Sequence, residues 1–380
     1  MSKRTTVEAT AIVVGTIIGA GVLGIPFVVA RSGFVTGMVA LVVLTAVVAT
    51  MHLMLAEVAA RTTGTHQLTG YAERYMGKGG KIVMMFGMIL SLYGALTAYL
   101  IGISQTATEF VGFGRELWWG VAFFGVAGAA VFVGLSLVKR FEMALTFLIL
   151  VVVLALAVVS GPHIDPAALT HYASSKLFLP YGVILFALLG TVAIPEAARV
   201  LHRDPKELKR AVFWGTVIPA IIYALFAFTV VGVTGGDTTE IATIGLGERL
   251  GQTATIFGSL FALFAMGTSF LTISLALLDM YHYDYKLTHV TSWLLTLAPP
   301  LIAFLLSLTS FAETLGVVGG IAGSVEGLLV IALFMKARKQ GDRTPAFTVS
   351  VPNAWLACVG AVFLGGLVWT IWKILNLGVY

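Results

Sequence analysis

Long apolar runs are the feature that most constrains the fold of this chain. There are eleven of them, and each has the ~17 to 25 residues or more that a helix needs to cross a bilayer core. Because hydrocarbon offers the backbone no hydrogen-bond partners, only helices and closed barrels cross it. The runs are too long for barrel strands and lack their alternation. The sequence therefore predicts an all-α polytopic membrane protein with 11 transmembrane helices, spans one to eleven, at residues 8–31, 34–60, 82–108, 118–138, 141–161, 177–201, 211–233, 253–279, 289–308, 313–335 and 353–375.

Charge is scarce and unevenly placed. Only 11% of the 380 residues are charged, against ~25% in an average soluble domain. With the N-terminus in the cytoplasm, 18 of the 23 Lys and Arg residues fall in cytoplasmic connections, as the positive-inside rule requires. We expect a multi-pass protein of the cell (plasma or inner) membrane, with a cytoplasmic N-terminus and an outer C-terminus. The net charge of +5 is explained by topology and lipid headgroups, so no nucleic-acid partner is expected.

A glycine-rich stretch interrupts span one. Gly19 to Gly24 read "GAGVLG" and match a dinucleotide-binding pattern, but the required strand, helix and acidic residue about 20 positions on are missing. Glycines and Pro26 within one span predict instead an unwound segment, which a bilayer tolerates only where it is buried or lines a cavity. Close helix packing through Gly15 and Gly19 is the alternative explanation.

Span six carries a second copy of this pattern. Gly21–Pro26 ("GVLGIP") and Gly190–Pro195 ("GTVAIP") share G-x-x-[GA]-I-P. Five spans separate the two starts, so the second copy begins on the opposite side of the membrane. The sequence thus predicts an inverted repeat of five-helix halves, 1–161 and 162–335, followed by a cytoplasmic loop and an eleventh helix in 336–380. Interrupted spans at matching positions indicate a transporter site near the midplane.

Several longer motifs carry a family resemblance. They are "GTIIGAGVLGIPF", "HLMLAEVAARTTGTHQLTGYAERYMG", "SLYGALTAYLIG", "AIPE" and "GTSFLTISLALLD", in that order along most of the chain. The chain resembles amino acid permeases of the amino acid–polyamine–organocation superfamily. It looks most like the bacterial tyrosine/tryptophan permeases and their amino acid/auxin permease relatives. The resemblance implies a LeuT-like fold, with spans one and six broken and one extra helix.

The resemblance also implies a substrate site between spans one and six, with spans three, eight and ten alongside. Amides at the start of the second half of span one would hold the substrate carboxylate, and carbonyls before each break would take its ammonium group. Phe186 is either an aromatic gate or a plain structural ring, and span-three Tyr93 and Thr97 either touch substrate or bond within the bundle. The candidate substrate residues are Ile17, Gly19, Ala20, Gly21, Tyr93, Thr97, Phe186, Ala187, Leu188 and Thr191.

Sodium is the coupling ion that the resemblance favours. Superfamily sodium sites combine span-eight hydroxyls with span-one carbonyls, and the matching groups here belong to Gly15, Ile18, Ala265, Thr268 and Ser269. Alternatively, both hydroxyls bond back to their own helix. Span five lacks the lysine that proton-driven members can place there, which favours sodium, whereas the tyrosine/tryptophan permeases are generally regarded as proton-coupled. Apart from sodium as coupling ion, no cofactor is expected.

Three acids within or beside spans are candidate proton or gating groups, because charge inside a membrane is costly and usually functional. Glu326 in span ten is either a proton or cation site or a group bonded to neighbouring helix ends. Glu57 is expected to tie span two to a broken helix. Glu196 follows Pro195, where gating and capping of a half-helix are both open.

Together these observations predict a secondary active transporter that imports a neutral amino acid by alternating access, with aromatic substrates a candidate class and sodium as the coupling ion. A proton-coupled symporter or an exchanger of the same fold is the alternative. An enzyme is disfavoured because the few polar residues form no catalytic constellation.

Overall fold

The computed structural model describes residues 2–64, 66–134, 150–202 and 204–376. Within these ranges the chain is helical and contains no β-strand. The first half consists of α1 (Ser2–Ile17), α2 (Gly21–Ser32), α3 (Phe34–Arg61), α4 (Leu68–Val111), α5 (Glu116–Val133) and α6 (Leu150–His163). The second half and the C-terminal helix consist of α7 (Tyr181–Leu188), α8 (Ala193–Val200), α9 (Leu208–Thr234), α10 (Ala242–Leu250), α11 (Gln252–Asp279), α12 (His289–Leu305), α13 (Phe311–Val318), α14 (Ser324–Gln340) and α15 (Asn353–Asn376).

The helices have the length and polarity of membrane spans. In the described ranges, eight helical stretches are long and apolar enough to cross a bilayer when α7–α8 and α13–α14 are each counted as one, or nine when α1 and α2 also count as one bent span. Two shorter apolar helices, α6 and α12, accompany them. The all-helical prediction is confirmed. The end of span four and the start of span five lie outside the described residues, so the count of 11 and the division at residue 161 stay predictions.

Both predicted breaks are present. The axes of α1 and α2 meet at 59°, and residues 18–20 between them are not helical. Residues 189–192 separate α7 from α8. Pro195 lies in the first turn of α8, where an N–H has no intrahelical acceptor, so its missing donor costs nothing. Pro26 lies inside α2, further from the start of its helix than Pro195 is from the start of α8. The two copies of the motif therefore match in sequence but lie at different distances from their breaks.

Close helix contacts surround the breaks. The α9 helix packs on α1, α2 and α3, and α8 packs on α1. A Cβ built on Gly182 in α7 would lie 2.0 Å from the carbonyl oxygen of Gly316 in α13, so these helices touch through bare backbone. The halves of the tenth span, α13 and α14, are joined by one π-helical turn, Gly319–Gly323. The broken helices therefore lie at the centre of the bundle.

A buried carboxylate ties α3 to α14. Glu57 has no exposed side-chain surface and accepts hydrogen bonds from Arg61 Nε at 2.8 Å, from Arg338 Nε and Nη2 at 3.0 and 3.1 Å, and from the Val349 amide at 2.6 Å. Its partners lie on α3, on α14 and in the segment 341–352 after α14, which we call the strap. Sequence analysis expected a broken helix instead, but the guanidinium groups that neutralise this acid are on α3 and α14.

The strap also makes hydrogen bonds to Thr63, after α3, and to Arg74 on α4. Asp342 accepts hydrogen bonds from the hydroxyl of Thr63, from the Thr63 amide at 2.9 Å and from Arg74 Nη2 at 2.6 Å. These donors, the Thr63 hydroxyl foremost, hold the pKa of Asp342 below its usual range. Because this pKa is lowered, the contact contributes stability above the ordinary pKa of an aspartate and loses it as pH falls through the lowered value.

The Glu57 network predicts a stability effect. Glu57→Ala leaves two guanidinium groups and one amide without their shared acceptor, and removing one partner of a buried ion pair costs about 3 to 5 kcal/mol. We expect a clear fall in the melting temperature of the detergent-purified protein. Glu73→Ala is the matched control, because the Glu73–Lys81 pair is roughly half exposed and pairs of this kind contribute ~0 to 1 kcal/mol. Equal shifts in the two variants would contradict this account.

Candidate functional site

The two broken spans meet at small residues. A Cβ built on Gly21 would lie 2.7 Å from Ala187 Cβ, and one on Gly190 would lie 2.4 Å from Ile17 Cγ1. Real Cβ atoms do not approach other atoms this closely, so glycine at both positions is what lets the breaks touch. The two breaks, which the sequence predicts separately in spans one and six, therefore lie directly against each other.

Backbone groups of both polarities converge there. Ala20 precedes α2 and Gly21 begins it, so their N–H groups lie at the positive end of a helix, before any intrahelical acceptor. The carbonyls of Ile17 and Ala187 lie at the ends of α1 and α7, and both lie within hydrogen-bond distance of one hydroxyl, that of Tyr223. The amides suit a carboxylate and the carbonyls suit an ammonium group, so the arrangement is complementary to a zwitterion.

Tyr223 on α9 is a residue that sequence analysis missed. Its side chain has no exposed surface, and its hydroxyl lies 2.7 Å from the Ile17 carbonyl oxygen and 3.1 Å from that of Ala187. A tyrosine in the middle of an apolar span needs a partner for its hydroxyl, and that requirement was the available signal. The partner itself is not readable from sequence, because it lies 206 positions away.

Tyr99 and Ser269 flank Gly19. A Cβ on Gly19 would lie 3.7 Å from the Tyr99 hydroxyl and 3.8 Å from Ser269 Oγ, so both hydroxyls lie beside this glycine. Ser269 was predicted as a cation ligand, whereas Tyr99 was missed. Spans three and eight thus both reach the break in span one.

The polar side chains Tyr93, Thr97 and Ser104 of α4 bond to their own helix and to neighbouring helices. The Tyr93 hydroxyl lies 2.7 Å from both the Tyr281 hydroxyl and the Leu295 carbonyl oxygen, and Thr97 donates to the Tyr93 carbonyl at 2.9 Å. Ser104 bonds back to its own helix in the same way. The structure thus places the Tyr93 hydroxyl against α12 and the turn after α11, not against the breaks.

Within α7, Phe186 alone keeps partly exposed surface, while its neighbours Ala187 and Leu188 are buried. A Cβ on Gly319 would lie 2.7 Å from the Phe186 amide nitrogen, so the π-helical turn of the tenth span packs directly on this point. Phe186 is therefore the side chain of α7 with room to move, and its role as a gate stays a prediction.

A hydrogen bond joins two of the predicted residues, Thr191 of span six and Glu326 of span ten. Thr191, in the break of span six, donates a hydrogen bond to Glu326 Oε1 in the first turn of α14. Both side chains are buried, with exposed fractions of 2% for Thr191 and 7% for Glu326. A buried carboxyl group thus contacts a broken helix directly. Glu196 differs, since its side chain is exposed in the first turn of α8.

The candidate sodium ligands are placed less uniformly. The hydroxyl of Thr268 bonds back to its own helix, at 2.8 Å from the Phe264 carbonyl oxygen and 3.3 Å from that of Ala265. Ser269 reaches the break beside Gly19, as described above. Gly15 lies in the last turn of α1, and Ile18 is buried just beyond it.

Comparison with known proteins agrees with this architecture. A sequence model of the Tryptophan/tyrosine permease family matches residues 2–373. The chain belongs to this family. It is similar to Glutamine transporter 2 of Aliivibrio fischeri, at 27% identity over 86% of this chain and 87% of the relative. It is also similar to Tyrosine-specific transport system 1 of Haemophilus influenzae, at 27% identity over 90% of each chain.

The fold has a solved counterpart. An inward-facing structure of Mhp1 superposes with a TM-score of 0.65 and 14% identity, over 95% of this chain and 88% of Mhp1. The predicted LeuT-like fold is thereby confirmed. Because the family and its relatives are permeases, this permease is a multi-pass membrane transporter and not an enzyme, and the resemblance to the tyrosine/tryptophan permeases is confirmed.

The contact between the breaks predicts the effect of one methyl group. Gly21→Ala pushes α2 away from α7, at a cost of about 1 to 3 kcal/mol for overpacking, and we expect it to lower substrate uptake severalfold in proteoliposomes. Gly24→Ala on the same helix is the control, because its nearest neighbour, at 3.2 Å, is the end of the Leu315 side chain. Equal uptake by the two variants, at equal reconstituted amounts, would refute the close contact as a requirement.

Proposed function

We propose that this permease imports a neutral amino acid across the cell membrane by secondary active transport, with sodium as the coupling ion and its N-terminus in the cytoplasm. The observation that carries the proposal is the meeting of two broken spans, where the N–H groups of Ala20 and Gly21 and the carbonyls of Ile17 and Ala187 are close together. Half-helix amino termini suit a carboxylate, and freed carbonyls suit an ammonium group. Backbone recognition of this kind binds what all amino acids share.

The side chains around the breaks favour a neutral substrate. Tyr99, Ser269 and Thr191 are uncharged, and Glu326 is already bonded to Thr191. Tyr99 and Phe186 supply aromatic surface, which suits an aromatic side chain. The relatives are named for glutamine and for tyrosine, both neutral, so the proposal is made at the level of the neutral class.

Sodium coupling is supported by oxygen ligands in the right region. Thr268 donates its hydroxyl hydrogen to its own helix, yet the oxygen keeps lone pairs that a cation can use. Back-bonding and cation binding are therefore compatible. Carbonyls of Gly15, Ile18 and Ala265, together with the hydroxyls of Thr268 and Ser269, would supply five neutral oxygens to the transported ion.

The sodium proposal is tested by uptake of labelled neutral amino acids into proteoliposomes, under an inward sodium or an inward proton gradient at fixed voltage. We expect sodium to drive accumulation, and Thr268→Ala to raise the sodium concentration for half-maximal uptake about tenfold, the effect of losing roughly 1.4 kcal/mol of binding. Thr255→Ala is the control, because Thr255 is another back-bonding threonine of α11. Uptake that ignores sodium, or equal effects of both variants, would exclude this site.

Proton coupling through Glu326 is the second candidate, because a buried carboxyl contacts the break of span six through Thr191. Because Thr191 lies in the break, the charged and neutral forms of this carboxyl group can favour different conformations of the break. If protons drive transport, Glu326→Gln should abolish proton-driven accumulation while amino acid exchange continues, and exposed Glu116→Gln should change neither. If Glu326→Gln retains full proton-driven uptake, this candidate is eliminated.

A further inference from the structure

The Tyr223 side chain reaches the proposed substrate site from α9. Its hydroxyl is within 2.7 and 3.1 Å of the Ile17 and Ala187 carbonyl oxygens. One side chain from α9 thus contacts the ends of both broken spans. No other hydroxyl among the described residues makes hydrogen bonds to both of these carbonyls.

The carbonyls involved are the ones that the proposed function assigns to the substrate's ammonium group. When no substrate is bound, these two oxygens are buried in the bundle, and a buried carbonyl without a donor is costly. The Tyr223 hydroxyl has one hydrogen, which it donates to the Ile17 oxygen at 2.7 Å or shares with the Ala187 oxygen at 3.1 Å, so it supplies a donor at this point without any ligand. It therefore links α1 and α7 in the empty site, as the three N–H donors of an ammonium group would in the loaded site.

We infer that Tyr223 closes the empty carrier: its hydroxyl bridges the Ile17 and Ala187 carbonyls so that the unloaded protein can return across the membrane, and a bound ammonium group displaces it. The displacement has a physical basis, because hydrogen bonds from a charged donor are roughly twice as strong as those from a neutral one. This inference rests on the proposed transport function, and it assigns to Tyr223 the return step of the cycle.

Two transport modes separate the return step from substrate binding. Net uptake into vesicles without internal substrate requires the empty carrier to return, whereas exchange of external label for internal amino acid does not. We expect Tyr223→Phe to lower net uptake about tenfold, the effect of one buried acceptor left unpaired, while exchange stays within about twofold of wild type. We also expect it to bind substrate more tightly, because the hydroxyl no longer competes for the carbonyls.

Tyr181→Phe is the matched control. Tyr181 is also buried, and its hydroxyl lies 2.8 Å from Ser324 Oγ, so the variant removes an interhelical phenol contact away from the breaks. We expect it to change net uptake and exchange by the same factor. Equal loss of both modes in Tyr223→Phe, weaker substrate binding by that variant, or the same split in Tyr181→Phe would overturn the inference.

A second variant decides the question if Tyr223→Phe does not fold. 3-Fluorotyrosine at position 223, introduced by stop-codon suppression, keeps the ring and hydroxyl and makes the hydroxyl a stronger donor. Substrate should then bind more weakly while net uptake persists, and unchanged or tighter binding would overturn the inference. Failure of the proposed function is a different result, namely wild-type protein that neither accumulates nor exchanges any amino acid.

Discussion

Backbone hydrogen bonding in hydrocarbon is the constraint on which this structure depends. A helix satisfies its own amides and carbonyls, so most of the chain crosses as uninterrupted apolar helices such as α3, α9 and α11. A break frees several backbone groups at once, and each needs a partner inside the protein or in a ligand. The breaks in spans one and six lie where other helices pack around them, and the Tyr223 hydroxyl is an internal partner for backbone groups at both. The site is therefore a consequence of how the fold manages unpaired backbone.

Glycine is the second requirement, because freed backbone is useful only if two breaks approach each other. At Gly21 and Gly190 the opposing chain lies where a Cβ would be, and at Gly182 the neighbouring helix does the same. Membrane helices gain little from burying apolar surface against each other, since lipid is equally apolar, so such close contacts carry much of the packing energy. The same glycines thus build the bundle and expose the groups that the proposed substrate would bind.

The sequence predicted the helical fold and both breaks, because apolar length and Gly/Pro interruptions are local signals. It did not predict which side of a helix a polar residue faces, since successive residues turn by about 100° and no local signal sets the phase against a neighbour. For Tyr93 the sequence thus left substrate contact and bonds within the bundle both open, and the structure shows the latter, while Tyr99 was missed beside Gly19. Partners distant in sequence were equally unreadable: Glu57 pairs with Arg338, 281 positions away. Motif resemblance predicted which spans meet at the breaks better than it predicted individual contacts.

Separate groups serve recognition and selectivity in this arrangement. Under the proposed function, the carboxylate and ammonium groups of an amino acid would be bound by main chain, which point mutation cannot remove, whereas the side-chain pocket would be lined by replaceable residues such as Thr191 and Phe186. A family built on this plan can change substrate without rebuilding the breaks, which agrees with relatives named for glutamine and for tyrosine at the same 27% identity. Glu326 lies one hydrogen bond from that pocket through Thr191. Under the proposed function, a change in the residue at position 191 would therefore alter both the substrate side-chain pocket and the surroundings of the buried acid, which would link selectivity and any proton coupling at this one threonine.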